Sequence, residues 1–243
     1  MIERWHRGCD WFGTRGVPLL APWFNVTTRV ASDQPLLTFD DGPDPRTTPH
    51  LLDVLDRHQQ KATFFVVGER AERFPNFVRE ITRRGHDIGN HSWSHAMPWR
   101  QSAAAQTADY DRTHWLLRSL VGNACVAVRP PYGMHTPALA RWSRRMIQPV
   151  WLWSVMPPDY RNGCPDDRVR RDLKRSRAGD IVCLHERKRT AGLLNRYLSE
   201  LPASSSNTPA ISTGQTAVAS QWTSANCPPS ASGTNLPQLT PSE

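Results

Sequence analysis

Two adjacent aspartates, Asp40 and Asp41, follow a short apolar run and precede a Gly-Pro pair. In extended backbone, consecutive side chains point to opposite sides, so the two carboxylates can serve different purposes. One carboxylate can ligate a metal ion while the other takes a proton from water bound to that ion. The sequence Asp-Asp-Gly-Pro is also good turn chemistry, and taken alone it is explained at least as well by a solvated turn.

Two histidines, His91 and His95, stand four residues apart, so that on a helical turn one imidazole lies above the other. Together with one aspartate they form a ligand set that leaves coordination positions open for water and substrate. Such a set is typical of catalytic zinc sites, although other divalent ions fit it too. A lone histidine pair at this spacing is more commonly a surface or packing feature, so the metal hypothesis depends on the aspartate.

Arg129 precedes two prolines, which restrict the backbone to an extended form and therefore aim the guanidinium. It could hold a carboxylate through two parallel hydrogen bonds, and the backbone N–H of Tyr132 could face a reacting carbonyl. An ordinary loop with a surface arginine explains the same residues. His185 ends the apolar run Ile181–Leu184, where it could be a general acid in a cleft or a satisfied core histidine.

These residues follow the strands of a regular alternating pattern. Strands are predicted at Pro35–Phe39, Thr63–Val67, Asp87–Gly89, Cys125–Val128, Pro149–Trp153 and Asp180–Leu184. Helices are predicted at Thr47–His58, Glu69–Arg84, Ala103–Val121, Pro137–Arg145, Asp166–Arg177 and Thr190–Leu201. The alternation predicts an α/β fold with a parallel sheet and outer helices, open or closed as a barrel. Because chemistry gathers at the carboxyl ends of parallel strands, the candidate residues should share one rim.

Composition excludes several classes of protein. The 243 residues suit one domain of roughly 200–250 residues or two small ones. No apolar stretch approaches the roughly 20 residues of a membrane span, so no transmembrane segment is expected. The five cysteines are odd in number and form no CxxC pair, which argues against a disulfide framework and a cysteine-ligated zinc. The N-terminus lacks a clean secretory signal, so a cytoplasmic location is expected.

A change in composition falls near Leu201. Residues Pro202–Ser242 contain no charged side chain, and half of the segment 202–243 is Ser, Thr or Pro. Such a segment cannot bury enough apolar surface to offset the entropy of ordering it. The sequence therefore predicts an N-terminal extension (1–34), a catalytic domain (35–201) and a low-complexity, disordered tail (202–243).

Five segments in this order resemble the motifs of the polysaccharide deacetylases, the NodB-homology group of carbohydrate esterase family 4. They are Thr38–Gly42, Asn90–His95, Arg129–Gly133, Asp159-Tyr160 and His185-Glu186. The match is almost continuous over Pro35–His95 and includes the stretches Thr38–Pro45, Ala62–Val66 and Gly85–Ser92. The resemblance runs from about Pro35 to about Leu201. It implies a distorted (β/α) barrel and a hydrolase that removes N-acetyl groups from glycans containing N-acetylglucosamine. Chitooligosaccharides and peptidoglycan are the expected substrate types, and acetate is the expected product.

The resemblance also implies a metal site. Asp41, His91 and His95 would bind a divalent metal ion, with Asp40 as the general base beside it. Zinc is the expected ion, and cobalt or another divalent ion is the alternative.

Further roles follow from the same resemblance. Arg129 would pair with Asp40, and the backbone N–H of Tyr132 would assist the metal at the oxyanion. Asp159 would orient His185, which would be the general acid. Residues expected to contact the substrate are Tyr132, Tyr160, Cys183 and Leu184.

The sequence departs from the family pattern at three places. Tyr160 stands where a tryptophan is usual, and Cys183 stands where a leucine usually lines the acetyl pocket. The family usually closes its sheet with a last strand of the type Gly-Tyr-x-Phe, and the sequence contains no such segment after Leu201. Either the barrel closes in a different way or the sequence is altered there, for instance by a frameshift. We expect the barrel to lack its closing strand and to have an open seam between Pro35–Phe39 and Asp180–Leu184.

Two other functions compete with hydrolysis. The ten tryptophans would suit a catalytically silent glycan-binding relative, because aromatic faces stack on sugar rings. The net charge of +8 permits an anionic partner such as nucleic acid. The basic cluster Arg168–Arg177 is better explained as the solvated face of a helix, and no nucleic-acid motif accompanies it. No nucleic-acid partner is expected, and a monomer is assumed.

Overall fold

The strands of the computed structural model, which describes residues 26–122 and 125–201, form one parallel sheet. They are β1 Val26–Thr27, β2 Leu36–Gly42, β3 Ala62–Val66, β4 Asp87–Asn90, β5 Cys125–Val128, β6 Val150–Trp151 and β7 Ile181–His185. Their order across the sheet is β1-β6-β5-β4-β3-β2-β7. The sheet curls into a half-barrel with helices outside, which confirms the predicted α/β barrel class.

Helices fill the connections between the strands. They are α1 Thr48–Arg57, α2 Gly68–Arg73, α3 Pro75–Arg83, α4 Ala103–Val121, α5 Pro137–Met146, α6 Asp166–Lys174 and α7 Thr190–Ser199. The predicted helix Glu69–Arg84 is in fact two helices, because Phe74 leaves the helical region (φ −130°, ψ 55°) before the ring of Pro75. Among the described residues, no helix combines the length and the apolarity needed to cross a membrane.

The first strand was not predicted. β1 contains only Val26 and Thr27, which pair with Val150 and Trp151 of β6. Two residues are too few to show the alternation of apolar and polar side chains that marks a strand. From the sequence they are therefore assigned to the N-terminal extension, residues 1–34. Residues 1–25 of that extension and the predicted tail 202–243 lie outside the described residues.

The alternation of side chains along the strands divides the core into two layers. On β7, Val182 and Leu184 pack with the helices in the outer layer. Ile181 and Cys183 face the inside of the curl, where Trp153 is among their neighbours. The inner layer fills the space beneath the rim and supports the side chains that stand on it.

The expected seam between the first and last predicted strands is wrong. β2 and β7 pair directly in parallel, from Leu36 opposite Ile181 to Asp40 opposite His185. The sheet ends instead at β1 and at the free side of β7. A segment after β6 lies along that side: the N–H of Val155 donates to the Ile181 carbonyl, and the N–H of Cys183 donates to the Val155 carbonyl. This irregular segment occupies the position beside β7 that a closing strand would take.

Gly179, which precedes β7, permits a close approach of two backbone segments. It has a φ of +77°, and a Cβ at this position would lie 2.5 Å from the carbonyl oxygen of Val30. We expect Gly179→Ala to lower the free energy of unfolding by about 1 kcal/mol or more, because both the backbone and the contact become strained. Urea denaturation measures this change.

The matched control is Gly192→Ala in α7, where a Cβ meets nothing within 4 Å. Alanine favours the helix and restricts the unfolded chain, so this variant should be about 0.4–1 kcal/mol more stable than the unmodified protein. Equal stability of the two variants would contradict the close approach at Gly179.

Candidate active site

The two adjacent carboxylates stand at the end of β2, where the backbone turns sharply. Asp41 has a φ of 71°, and the pairing of β2 with β3 shifts between Asp40 and Gly42. The expected extended backbone would separate the two carboxylates, but this left-handed residue brings both to the same side. The Nε2 atom of His91 lies 3.8 Å from Asp40 Oδ2 and 3.7 Å from Asp41 Oδ1.

The two histidines lie in the loop after β4 rather than on the expected helical turn. Ser92 has a φ of 64° and His95 a φ of 52°, both outside the right-handed helical region. The side chain of Asn90 accepts a hydrogen bond from the Ser92 N–H, and the Ser92 hydroxyl accepts one from the His95 N–H. This bonded loop brings His95 Nε2 to 3.1 Å from Asp41 Oδ1.

The geometry of Asp41, His91 and His95 fits a metal ion. One donor atom from each residue lies within 4.8 Å of the others. The carboxylate-to-imidazole distances of 3.1 and 3.7 Å bracket the roughly 3.3–3.6 Å expected between neighbouring ligands of a tetrahedral ion. His91 Nδ1 lies 2.8 Å from the carbonyl oxygen of Arg129, which can only accept, so Nδ1 is a donor and Nε2 is the nitrogen that would ligate a metal ion.

The guanidinium of Arg129 is fully buried and bonded at each nitrogen. It donates to Asp40 Oδ1 and to the Thr38 hydroxyl at 2.7 Å each, and to the carbonyls of Trp151 and Leu152 at 3.2 and 3.0 Å. Arg129 reaches Asp40 through a single N–H, rather than through the two parallel bonds that the sequence suggested, because its other nitrogen atoms bind main-chain carbonyls.

These charges decide the ionisation of the two aspartates. Burial alone raises the pKa of Asp40, but the charges of Arg129 and then His91 outweigh it and hold that pKa below its ordinary value. Burial likewise raises the pKa of Asp41, and hydrogen bonds from His91 and His95 lower it further than burial raises it. Both carboxylates are therefore ionised at neutral pH.

Asp159 and His185 form a second buried pair. His185 Nδ1 lies 3.0 Å from Asp159 Oδ1, and the His185 backbone N–H donates to Oδ2 at 2.8 Å. The Thr190 hydroxyl also donates to Oδ2 at 3.1 Å. Burial lowers the pKa of His185, but the charge and hydrogen bond of Asp159 raise it to about 9. The imidazole is therefore protonated at neutral pH.

Three of the four predicted substrate contacts stand at the rim. The ring of Tyr132, held by a φ of 59°, lies edge-on to His95 at 4.9 Å, and the Tyr160 ring lies 5.0 Å from His185. The Cys183 thiol donates to Asp40 Oδ2 at 3.3 Å.

The expected contact by Leu184 is wrong. Its neighbours Cys183 and His185 in β7 face the site, so Leu184 points the other way and packs in the outer layer. The alternation of side chains along a strand would have predicted this from the sequence, because Leu184 lies between two residues that face the site.

Two more residues contact the site: Glu186, which the sequence places at the rim without a role, and Arg187, which sequence reasoning missed. Arg187 donates to Asp41 Oδ2 at 2.7 Å, the carboxylate oxygen that the histidines do not share. Glu186 is buried: its N–H donates to the Asp40 carbonyl at 3.0 Å, its carboxylate accepts from Thr48, and burial raises its pKa to about 7. They are the first and second residues after His185, and that position is the only signal the sequence holds.

Comparisons with known proteins point to one family. A sequence model described as polysaccharide deacetylase matches residues 29–147. Two Bacillus cereus proteins, each named peptidoglycan-N-acetylglucosamine deacetylase, are similar to this chain. One is 38% identical over 149 residues, which are 61% of this chain and 54% of that protein. The other is 33% identical over 190 residues, which are 75% of this chain and 89% of that protein.

A solved structure gives the same result. The crystal structure of a peptidoglycan N-acetylglucosamine deacetylase matches with a TM-score of 0.69 at 30% identity, covering 74% of this chain and 87% of that one. The chain spans about half the length of the first Bacillus cereus relative and most of the second.

The donor geometry predicts which variants lose metal. Asp41→Ala, His91→Ala and His95→Ala should each lose the bound divalent ion, because each removes one of three ligands. Asp40→Asn is the matched control and should retain the ion, since Asp40 is not one of the three ligands and its Oδ1 is held by Arg129. Elemental analysis after dialysis measures the metal content. Metal loss in Asp40→Asn, or retention in Asp41→Ala, would contradict the assignment.

Proposed function

Because the chain belongs to the polysaccharide deacetylase family, we propose that it is a metal-dependent hydrolase that removes N-acetyl groups from glycans containing N-acetylglucosamine. Chitooligosaccharides or peptidoglycan are the proposed substrates, and acetate is the product. One observation carries the proposal. A three-donor metal set, a carboxylate held ionised by a buried arginine and an imidazolium held by a second carboxylate all open onto one rim.

Zinc is the proposed ion at Asp41, His91 and His95, because two imidazoles and one carboxylate are a common catalytic zinc set that leaves a position open. When bound, such an ion lowers the pKa of water and polarises a carbonyl group. Asp41 and the two histidines would hold it, and Arg187 would fix the orientation of the Asp41 carboxylate.

Asp40 is the proposed general base. It is ionised, because the charge of Arg129 keeps its pKa low, and Oδ2 remains available since Arg129 binds Oδ1. This oxygen can accept a proton as water attacks the acetyl carbonyl. Arg129 also prevents the carboxylate from rotating, so that its free oxygen keeps facing the metal ligands.

His185 is the proposed general acid. An amide nitrogen leaves poorly unless it is protonated, and the imidazolium can supply that proton to the departing amine. Asp159 binds Nδ1, so the proton on Nε2 is the one that faces the site. The backbone N–H of Tyr132 is the proposed donor to the oxyanion that forms on the acetyl group.

The ring of Tyr132 lies against His95 and that of Tyr160 against His185, and the two rings are the proposed walls for the sugar. The buried Cys183 thiol would lie at the floor of the acetyl pocket. The glycan-binding alternative leaves the ionised base and the protonated acid without a purpose, so hydrolysis is favoured.

The nucleic-acid alternative has no support at α6. Arg170 pairs with Asp167 and Glu200, and Lys174 pairs with Glu200, so these cations are already balanced by acidic side chains.

Removal of metal tests the proposed reaction. A chelator should abolish acetate release from N-acetylglucosamine oligomers, and added zinc or cobalt should restore it, because the ion would lower the pKa of the attacking water and polarise the acetyl carbonyl. A colorimetric or enzymatic acetate assay measures the rate. Full activity in a preparation shown by elemental analysis to be metal-free would overturn the proposal.

The pH profile tests the acid. His185 works in its protonated form, so kcat/KM should fall as pH rises through the pKa of about 9. Asp159→Asn removes the charge that raises this pKa while burial still lowers it, so the alkaline limb should move to lower pH by about 1 unit or more.

The matched control for this shift is Glu72→Gln, which breaks an exposed ion pair with Arg112 on other helices. Its pH profile should coincide with that of the unmodified protein. An alkaline limb that does not move in Asp159→Asn would remove the His185 pair from the mechanism.

A further inference from the structure

Cys183 lies against the proposed base and acid in a way that the reaction does not require. Its thiol is buried on the inner face of β7 and donates to Asp40 Oδ2 at 3.3 Å. The parallel pairing of β2 with β7 places Asp40 directly opposite His185, two residues after the cysteine. One donor atom each from Asp40, Cys183 and His185 lies within 4.8 Å of the others.

The hydrogen bonds around these three residues leave one potential metal-ligating atom of each residue available, and the three atoms lie close together. Arg129 occupies Asp40 Oδ1, which leaves Oδ2. Asp159 occupies His185 Nδ1, which leaves Nε2. The sulfur of Cys183 has lone pairs besides the hydrogen that it donates to Oδ2. The three available atoms are therefore an oxygen, a nitrogen and a sulfur.

This donor set differs from the first one in its chemistry. Asp41, His91 and His95 offer nitrogen and oxygen, whereas the second set adds a sulfur, which favours zinc and other softer ions. We propose that Asp40, Cys183 and His185 form a second, weaker metal site that takes zinc or a similar divalent ion, and that an ion there inhibits the enzyme. The inhibition rests on the proposed function, because the ion would engage both the base and the acid.

Binding at this second site has a definite proton balance. A metal ion enters, the thiol releases one proton and the imidazolium releases one, and both protons pass to solvent. The charge of Arg129 next to Asp40 opposes a second cation. These two costs make the second site the weaker one, so it fills only after the set of Asp41, His91 and His95.

Cobalt reports the coordination of sulfur without any measurement of activity. A cobalt–thiolate bond gives a charge-transfer absorption in the near ultraviolet, whereas nitrogen and oxygen ligands do not. Titration of the metal-free chain, residues 1–243, with cobalt should show no such band at the first equivalent and a growing band at the second. Equilibrium dialysis with elemental analysis should then find two ions per chain.

Cys183→Ser tests the assignment, because a hydroxyl of similar size is a much poorer ligand for these ions. The band should vanish in Cys183→Ser and persist in Cys125→Ser, a control at a partly exposed cysteine of β5. Asp40→Asn is the second variant: it leaves the thiol in place and should still weaken the second equivalent. Melting temperatures establish that each variant is folded.

Zinc should inhibit acetate release when it exceeds one equivalent. Loss of an outer-shell partner costs about 10–100-fold in metal affinity, so loss of the thiol itself should raise the zinc concentration for half inhibition by at least that range. If no acetate is released at all, the proposed function fails while the cobalt band still decides the second site. A band that is absent in the unmodified chain, appears with the first equivalent or survives Cys183→Ser would overturn this proposal.

Discussion

The buried guanidinium of Arg129 is the interaction on which the rest of the site depends. An arginine without solvent costs several kcal/mol unless every N–H finds an acceptor and the charge finds a partner. Here the acceptors come from β2, from Trp151 of β6 and from Leu152 after it, and the ring of Phe65 in β3 lies 4.0 Å from the guanidinium carbon. The backbone carbonyl of Arg129 also orients His91. Arg129 thereby links β2 to β6, and its charge lowers the pKa of Asp40 so that this carboxylate is ionised.

A second constraint is the backbone itself, which must turn sharply wherever a functional side chain is presented. Asp41, Ser92, His95 and Tyr132 all have positive φ values, although none is a glycine. Such conformations cost on the order of 1–3 kcal/mol each and persist only where the surroundings enforce them. Hydrogen bonds from neighbouring side chains and the parallel strands below supply that enforcement. The site is thus assembled from strained loops on a rigid sheet.

Most strands and helices could be predicted from the sequence, because hydrophobic period and turn residues are local signals. The features that could not be predicted depend on distant contacts. Val26–Thr27 becomes a strand only because β6 offers it a free edge, and Val155 takes the position of a closing strand only because β7 lies beside it. The motifs identified the site residues, but they did not predict the backbone conformation that positions them. Spacing suggested a helical turn for His91 and His95, which the loop after β4 replaces.

The segment that lies beside β7 links the integrity of the sheet to proton transfer. Val155 bonds to β7 through the main chain, and Asp159 follows four residues later on the same stretch. Asp159 is in turn bonded to β7 through the His185 N–H and to α7 through the Thr190 hydroxyl. The stretch of chain that covers the edge of the sheet is therefore also the stretch that holds the proton-donating imidazole in place.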